Sequence, residues 1–459
     1  MALLRPPDTH AEAALADGQE CHWSGALPED VVRDGGASMN ASPPLPLAPV
    51  DEAYRERART NGSRFLDAVD AILPGIAAKR FETEAANQVL GTSIAAMTEA
   101  GVFRALTPAR WGGLEMEPAA FLEGMVRVGS ACSSTGWVGG QLNVHSWQIA
   151  LMDERMQAEF WADGPDARAS SAYAPSGTVE CVPGGFRLTG RWSFSSGVDH
   201  SAWAIVGGIV KDGPDGVPEA RSFVIPSRDF VIDQGSWNVA GLKGTGSKSI
   251  MLANAFVPDY RTHRIVDEYN ETSPGHVLNP GPLYRVGRFT IFWSTMSCPA
   301  IGTLAAALEG FVSDARTRHG ALGTGSAVAA NPYMHLALVK AIGAVESVRR
   351  RLSTTWTHNF DVVCRGEPLS RTDRTRTRYE AADANASCFE AFMALHPFAG
   401  AGSVLSSHPA QLFFRDLMGM RNHGTAAREQ FASIHAQTLL DIPPPPFDPA
   451  ELKSLLHHC

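Results

Sequence analysis

The chain has 459 residues, 44% of them hydrophobic, with 48 acidic side chains against 39 Lys and Arg and a formal net charge of −9. That length exceeds one ordinary core and predicts two or three domains or layers. The charge excludes the dense basic face that nucleic-acid phosphates require, and no apolar run approaches the ~20 residues of a transmembrane helix.

In chain order, residues 1–50 read as a flexible leader, because Ala41–Val50 is Pro-rich and no periodic apolar face precedes it. Met1–Arg5 starts no basic region followed by an apolar one, so no signal peptide is expected. Residues 51–165 are predicted helical. Arg64–Leu73, Pro118–Val128 and Val144–Phe160 space their apolar residues by three and four, and Trp111-Gly112-Gly113 marks a turn. Residues 166–278 change texture to short β-type runs: Gly185–Gly190, Ala202–Val210, Arg221–Ile225, Phe230–Ile232 and Ser249–Val257. Gly, Pro and Asp clusters such as Lys211–Gly216 punctuate them, which predicts a small sandwich or barrel. Residues 279–440 return to helix, with long faces at Ala300–Arg318, Tyr333–Thr357 and Arg376–Ala394. The tail, 441–459, carries Pro443–Pro446, which no helix interior accepts.

The seven cysteines lack CxxC or Cys/His spacing, so neither zinc nor a disulfide framework is expected, and a reducing, cytoplasmic setting fits. No GxGxxG follows a strand, so no dinucleotide site for NAD(P)H is evident.

Four segments carry chemistry. Trp237–Lys248 reads WNVAGLKGTGSK and is followed by Phe256-Val257-Pro258. It is not a P-loop, since Ser247 stands where Lys is required. Gly190–Gly197 reads GRWSFSSG, Phe414–Thr425 reads FRDLMGMRNHGT, and Ser130–Gly140 (SACSSTGWVGG) leads into Val144-His145-Ser146-Trp147. Each element has an ordinary alternative: a Ser/Gly turn for Ser195-Ser196, a satisfied core histidine for His145, a solvated pair for Arg285 and Arg288.

Together the four segments resemble the acyl-CoA dehydrogenase fold, and within it the two-component flavin monooxygenases of the p-hydroxyphenylacetate hydroxylase oxygenase branch. The resemblance spans about residues 100–430. It implies an α+β, mostly α, architecture: an N-terminal helical domain, a central β domain and a C-terminal four-helix bundle. Where many acyl-CoA dehydrogenases carry a glutamate base, this chain has His423, and imidazole is a different chemical tool.

The resemblance further implies reduced FMN or FAD, delivered by diffusion from a separate NAD(P)H-dependent flavin reductase, and dioxygen, which together give a flavin C4a-hydroperoxide. Ser196, with Ser195 as the alternative, is expected beside flavin N5, and His423 near C4a. His145 is expected to draw the proton from a small aromatic, phenolic and polyketide-like substrate, with Ser171 sharing the phenol oxygen and Trp137 walling the pocket. Arg285 and Arg288 are candidates for the flavin phosphate or pteridine edge. A homotetramer is implied, with neighbouring subunits completing the flavin site. Three other readings remain at this point: N-oxygenation of an amino sugar, true acyl-CoA dehydrogenation, and a non-catalytic scaffold.

Overall fold

The computed structural model describes residues 48–211, 218–319 and 327–443. Most of the expected leader, the turn at 212–217 and the tail from residue 444 lie outside the described residues.

The N-terminal helices are α1 (Glu52–Ala78), α2 (Arg80–Ala85), α3 (Gly91–Glu99), α4 (Pro118–Ala131), α5 (Ser133–Ala150) and α6 (Glu154–Phe160). Asp51 caps α1 by accepting from the Tyr54 N–H at 2.8 Å, and Ala58, Gly62, Phe65, Val69 and Ile76 form its buried stripe. The run expected as one helix from Val144 to Phe160 is two. It breaks after Ala150, and Asp153 caps the second piece by accepting from the Arg155 N–H. Helix α5 starts eleven residues before that run, and all eighteen of its residues are buried.

Eight strands follow: β1 (Ala169–Ala172), β2 (Thr178–Val182), β3 (Gly185–Ser195), β4 (Trp203–Val210), β5 (Glu219–Pro226), β6 (Val231–Asp233), β7 (Lys248–Pro258) and β8 (Thr262–Arg264). One sheet runs β1-β4-β5-β8 and the other β2-β3-β7-β6; among the described residues only the β1–β4 pair is parallel. Their inner faces meet in a core that includes Leu188, Trp192, Val206, Phe223, Ile225 and Ile250.

Two short helices, α7 (Ile265–Asn270) and α8 (Gly275–Leu278), lead to the bundle: α9 (Ser294–Ala315), α10 (Pro332–Cys364), α11 (Arg371–Leu395), α12 (Pro409–Arg421) and α13 (Arg428–Leu439). A capping box of Ser370 and Asp373 starts α11. A π-turn at Phe289–Trp293 runs into α9. The joined helix Phe289–Ala315 is long and apolar enough to cross a membrane by composition, contrary to the sequence expectation. Yet 89% of its most apolar stretch is buried in the protein, so it is a core helix.

Helix α5 is the seam of the molecule, touching α4, α9 and β1. Gly140 permits this: a Cβ there would stand 2.5 Å from Thr295 Cγ2 of α9. Helical blocks flanking a β-sandwich give the α+β, mostly helical fold class that the sequence implied.

Candidate functional site

The site grows from one face of α5. Trp137, Gln141, His145 and Gln148 recur at four, four and three residues, so they share a face on a helix with no solvent-facing side. At 1.5 Å per residue, Trp137 and His145 are about 12 Å apart along the axis. Each anchors its own cluster.

At the Trp137 end, the last residues of β3 are turned by a register shift between Trp192 and Ser195. Phe194 takes a left-handed φ of 67° there, a strained conformation for an aromatic residue. The consequence is that Ser195 and Ser196 diverge. Ser195 is buried and donates to Ser170 Oγ at 2.9 Å, whereas Ser196 stays partly accessible and receives the Trp137 indole N–H at 3.1 Å. The hydroxyls of Ser196 and Ser247 are 2.8 Å apart, those of Ser247 and Thr245 are 2.7 Å apart, and Thr245 donates to the Leu242 carbonyl at 2.8 Å.

Each hydroxyl has one proton, so the chain has a direction. Thr245 spends its proton on Leu242, Ser247 therefore donates to Thr245, and Ser196 donates to Ser247. Ser196 keeps one lone pair uncommitted.

The loop carrying Ser247 is held by α12, which explains why two of the sequence segments occur together. Asp416 accepts from the Leu242 N–H at 2.7 Å, and a Cβ on Gly241 would lie 1.9 Å from the Arg415 carbonyl oxygen. Burial raises the Asp416 carboxyl to about 6. Beyond the end of α12, the His423 ring stands edge-on to Trp137, centroids 5.2 Å apart. His423 Nδ1 receives the Thr425 backbone N–H at 3.3 Å, which leaves the proton of the neutral ring on Nε2. Packing around the ring lowers the His423 pKa to about 4, although part of the residue is exposed to solvent.

At the other end, His145 is fully buried, with Nδ1 3.3 Å from the Tyr173 hydroxyl and Nε2 without a partner. Tyr173 donates to Gln148 Oε1 at 2.5 Å, and the Arg288 guanidinium lies 4.9 Å from the centre of its ring. Phe292, positioned by the π-turn, lies 5.5 Å from the His145 ring and 5.9 Å from Tyr173. Arg288 stacks over Phe292 at 4.2 Å and pairs with Glu268 through two bonds of 2.8 and 2.9 Å. Burial first, and the Arg288 charge second, pull His145 down to about 3, so the imidazole is neutral near pH 7.

The structure thus brings together Trp137, Ser196 and His423, and separately places His145 with Tyr173 and Phe292. Trp137 stands at the Ser196 end. Ser171 lies on β1, two residues before Tyr173. Arg288 lies against the His145 cluster with its charge matched by Glu268, not as a solvated pair with Arg285. Arg285 is buried, donates to the His276 carbonyl at 3.5 Å, feels the Glu271 carboxylate, and leaves Nε and Nη1 without a hydrogen-bond partner among the described residues.

Sequence reasoning missed Tyr173, Gln148, Glu268 and Phe292. Two had a signal: Tyr173 follows Ser171 by two residues at a strand end, and Gln148 follows His145 by three on a helix.

The chain resembles known proteins over most of its length. Residues 294–427 match the family described as "Acyl-CoA dehydrogenase, C-terminal domain". The chain is 33% identical over 356 residues to "Flavin-dependent monooxygenase, oxygenase subunit HsaA" of Rhodococcus jostii, covering 77% of this chain and 92% of that protein. It is 32% identical over 388 residues to the "p-hydroxyphenylacetate 3-hydroxylase, oxygenase component" of Acinetobacter baumannii, covering 84% and 91%. The crystal structure of 3-HSA hydroxylase from Rhodococcus sp. RHA1 superposes with a TM-score of 0.78 at 32% identity, covering 84% of this chain and 98% of that one. Identity at this level over nearly the whole of these relatives, on a shared fold, places the chain in the family of flavin-dependent monooxygenase oxygenase subunits.

Proposed function

We propose that this chain hydroxylates a small phenolic substrate with dioxygen and a reduced flavin, FMN or FAD, supplied by a separate NAD(P)H-dependent reductase. The relatives named as oxygenase subunits and components support the division of labour. The observation that carries the reading is the two-ended face of α5: a directed hydroxyl chain at Trp137, and a neutral, buried imidazole with a free nitrogen at His145.

The residues fit a reduced flavin. Reduced flavin has a proton at N5, and Ser196 has an uncommitted lone pair to receive it. Trp137, Ser196 and His423 would hold the reactive edge of the ring. Arg285, with two unpartnered buried donors, suits an anionic group such as a flavin phosphate. When bound, the flavin supplies the activation of dioxygen.

The chain's own residues do the rest. Ser196 holds the N5 proton in place, which opposes loss of hydrogen peroxide. His423 presents a donor at Nε2 to a developing oxygen anion. His145 accepts the substrate hydroxyl at Nε2 and draws electron density into the ring. A full imidazolium there would sit beside the Arg288 guanidinium, so partial proton transfer is favoured over complete transfer. Burial of this end excludes water.

The same reading includes a homotetramer. Tyr333, Leu336, Val339 and Ile342 are exposed apolar residues on α10, surface suited to a neighbouring subunit. Free cysteines with no disulfide among the described residues suit a reducing compartment.

The test is equilibrium binding of reduced and oxidised flavin under anaerobic conditions. Reduced flavin should bind up to about tenfold more tightly, because only it offers a proton to Ser196. Equal affinity, or tighter binding of oxidised flavin, would contradict the assignment.

A further inference from the structure

His145 is useful to a phenol only in one of its two neutral forms. The proton must be on Nδ1, so that Nε2 presents a lone pair to the substrate hydroxyl; the other form presents an N–H, which cannot accept. Something in the protein has to choose, and among the described residues no charged group bonds either ring nitrogen. His145 Nε2 is buried without a partner, and Nδ1 has Tyr173 as its neighbour at 3.3 Å.

The Tyr173 hydroxyl has a single proton, and it goes to Gln148 Oε1 at 2.5 Å. Gln148 is oriented for this by its own amide nitrogen, which donates to Ser222 Oγ at 3.4 Å, so the carbonyl end faces Tyr173. With its proton committed, the Tyr173 oxygen is an acceptor. The Arg288 guanidinium, 4.9 Å from the centre of the Tyr173 ring, can only donate and so favours an oxygen that accepts. An acceptor beside Nδ1 holds the proton there.

We infer that Tyr173 and Gln148 are positioning residues that fix His145 as the Nδ1–H tautomer, and thereby make Nε2 the acceptor for the substrate's hydroxyl. The pair acts through His145. The backbone at Tyr173 is pinned, since its carbonyl oxygen would lie 1.8 Å from a Cβ on Gly207 of β4, so the hydroxyl has a fixed origin. Burial and Arg288 keep the ring neutral, so tautomer and not charge is the variable that Tyr173 controls.

This inference rests on the phenol reading for its purpose, but its main test does not. Full-length protein is made with isotopically nitrogen-labelled histidine, and the His145 signals are assigned by their loss in His145→Gln. In the wild type, Nδ1 should report a protonated nitrogen and Nε2 a bare one. Tyr173→Phe removes the acceptor, and Gln148→Leu frees the Tyr173 proton to turn toward Nδ1; both should shift the population to Nε2–H. Gln148→Glu, which keeps an acceptor for Tyr173, should restore the wild-type pattern.

In turnover with phenol as probe, Tyr173→Phe and Gln148→Leu should each lower kcat for hydroxylation about tenfold with KM within about threefold of wild type, the unused oxygen appearing as hydrogen peroxide. A wild type already protonated at Nε2, or two variants that leave the tautomer unchanged, would overturn the inference. The expected tautomers without any hydroxylation of phenol would instead uphold the Tyr173–Gln148 assignment and overturn phenol as the substrate class.

Discussion

Ser196→Ala removes one oxygen from a chain whose direction is set by proton count. In the folded chain that oxygen receives Trp137 Nε1 at 3.1 Å and donates to Ser247 at 2.8 Å. Ser196 is partly accessible, so water can take over both partners and folding should suffer little. What water cannot replace is a fixed acceptor for the flavin N5 proton. One such bond is worth roughly 0.5–1.5 kcal/mol net, which converts to peroxide release about 2- to 13-fold faster. The assay mixes protein and reduced flavin with oxygenated buffer and follows both flavin reoxidation and hydrogen peroxide per flavin. Ser195→Ala is the control, because its hydroxyl is buried against Ser170 and should affect stability without touching peroxide yield. If Ser195→Ala raised peroxide and Ser196→Ala did not, the direction of the chain and the choice of serine would both be wrong.

Three further outcomes follow from the same geometry. His145→Gln should cut hydroxylated product by about a hundredfold, the low end of the usual acid–base range, while the rate of flavin oxidation stays near wild type; product yield against flavin consumed reads this directly. Glu268→Gln strands the Arg288 guanidinium without its buried carboxylate and should cost about 3–5 kcal/mol in denaturant unfolding. Acid should destabilise the protein: burial holds His145 and His276 at about 3 against an ordinary 6.5, so below pH 6.5 the unfolded chain binds protons that the folded one refuses. Stability is complete above 6.5 and falls by about 1.4 kcal/mol per pH unit for each histidine down to about 3, so a urea midpoint unchanged between pH 7 and 5.5 would contradict the assignment.

The helical, β, helical order was legible because its punctuation is local. Gly, Pro and Asp clusters bound the strands, and period-three-to-four stripes mark α1 and α4. Helix α5 was not fully legible. Its first turns carry Ser133, Ser134, Thr135, Gly136, Gly139 and Gly140, poor helix formers whose glycines serve close packing in three dimensions. The break at Asp153 was missed because a cap is one residue inside an otherwise periodic run. Strands β1, β2 and β8 are only three to five residues long and gave no pattern of their own.

In the site, Trp137, Ser196, His145 and His423 could be named because their segments resemble those of the flavin monooxygenase family. Arg288 was named with Arg285, but its setting depends on Glu268, twenty residues away and silent in the sequence. Tyr173 and Gln148 are ordinary residues, and their role follows only from counting protons between them.

The most direct measurement is the fate of the oxygen atoms. The purified chain is loaded anaerobically with reduced FMN or FAD and a phenol, isotopically heavy dioxygen is admitted, and product is analysed by mass. The account predicts one heavy oxygen atom in the ring-hydroxylated product, with no NAD(P)H required once the flavin is reduced. Quantitative release of hydrogen peroxide with no labelled product, together with reduction of bound oxidised flavin by an acyl-CoA, would contradict it.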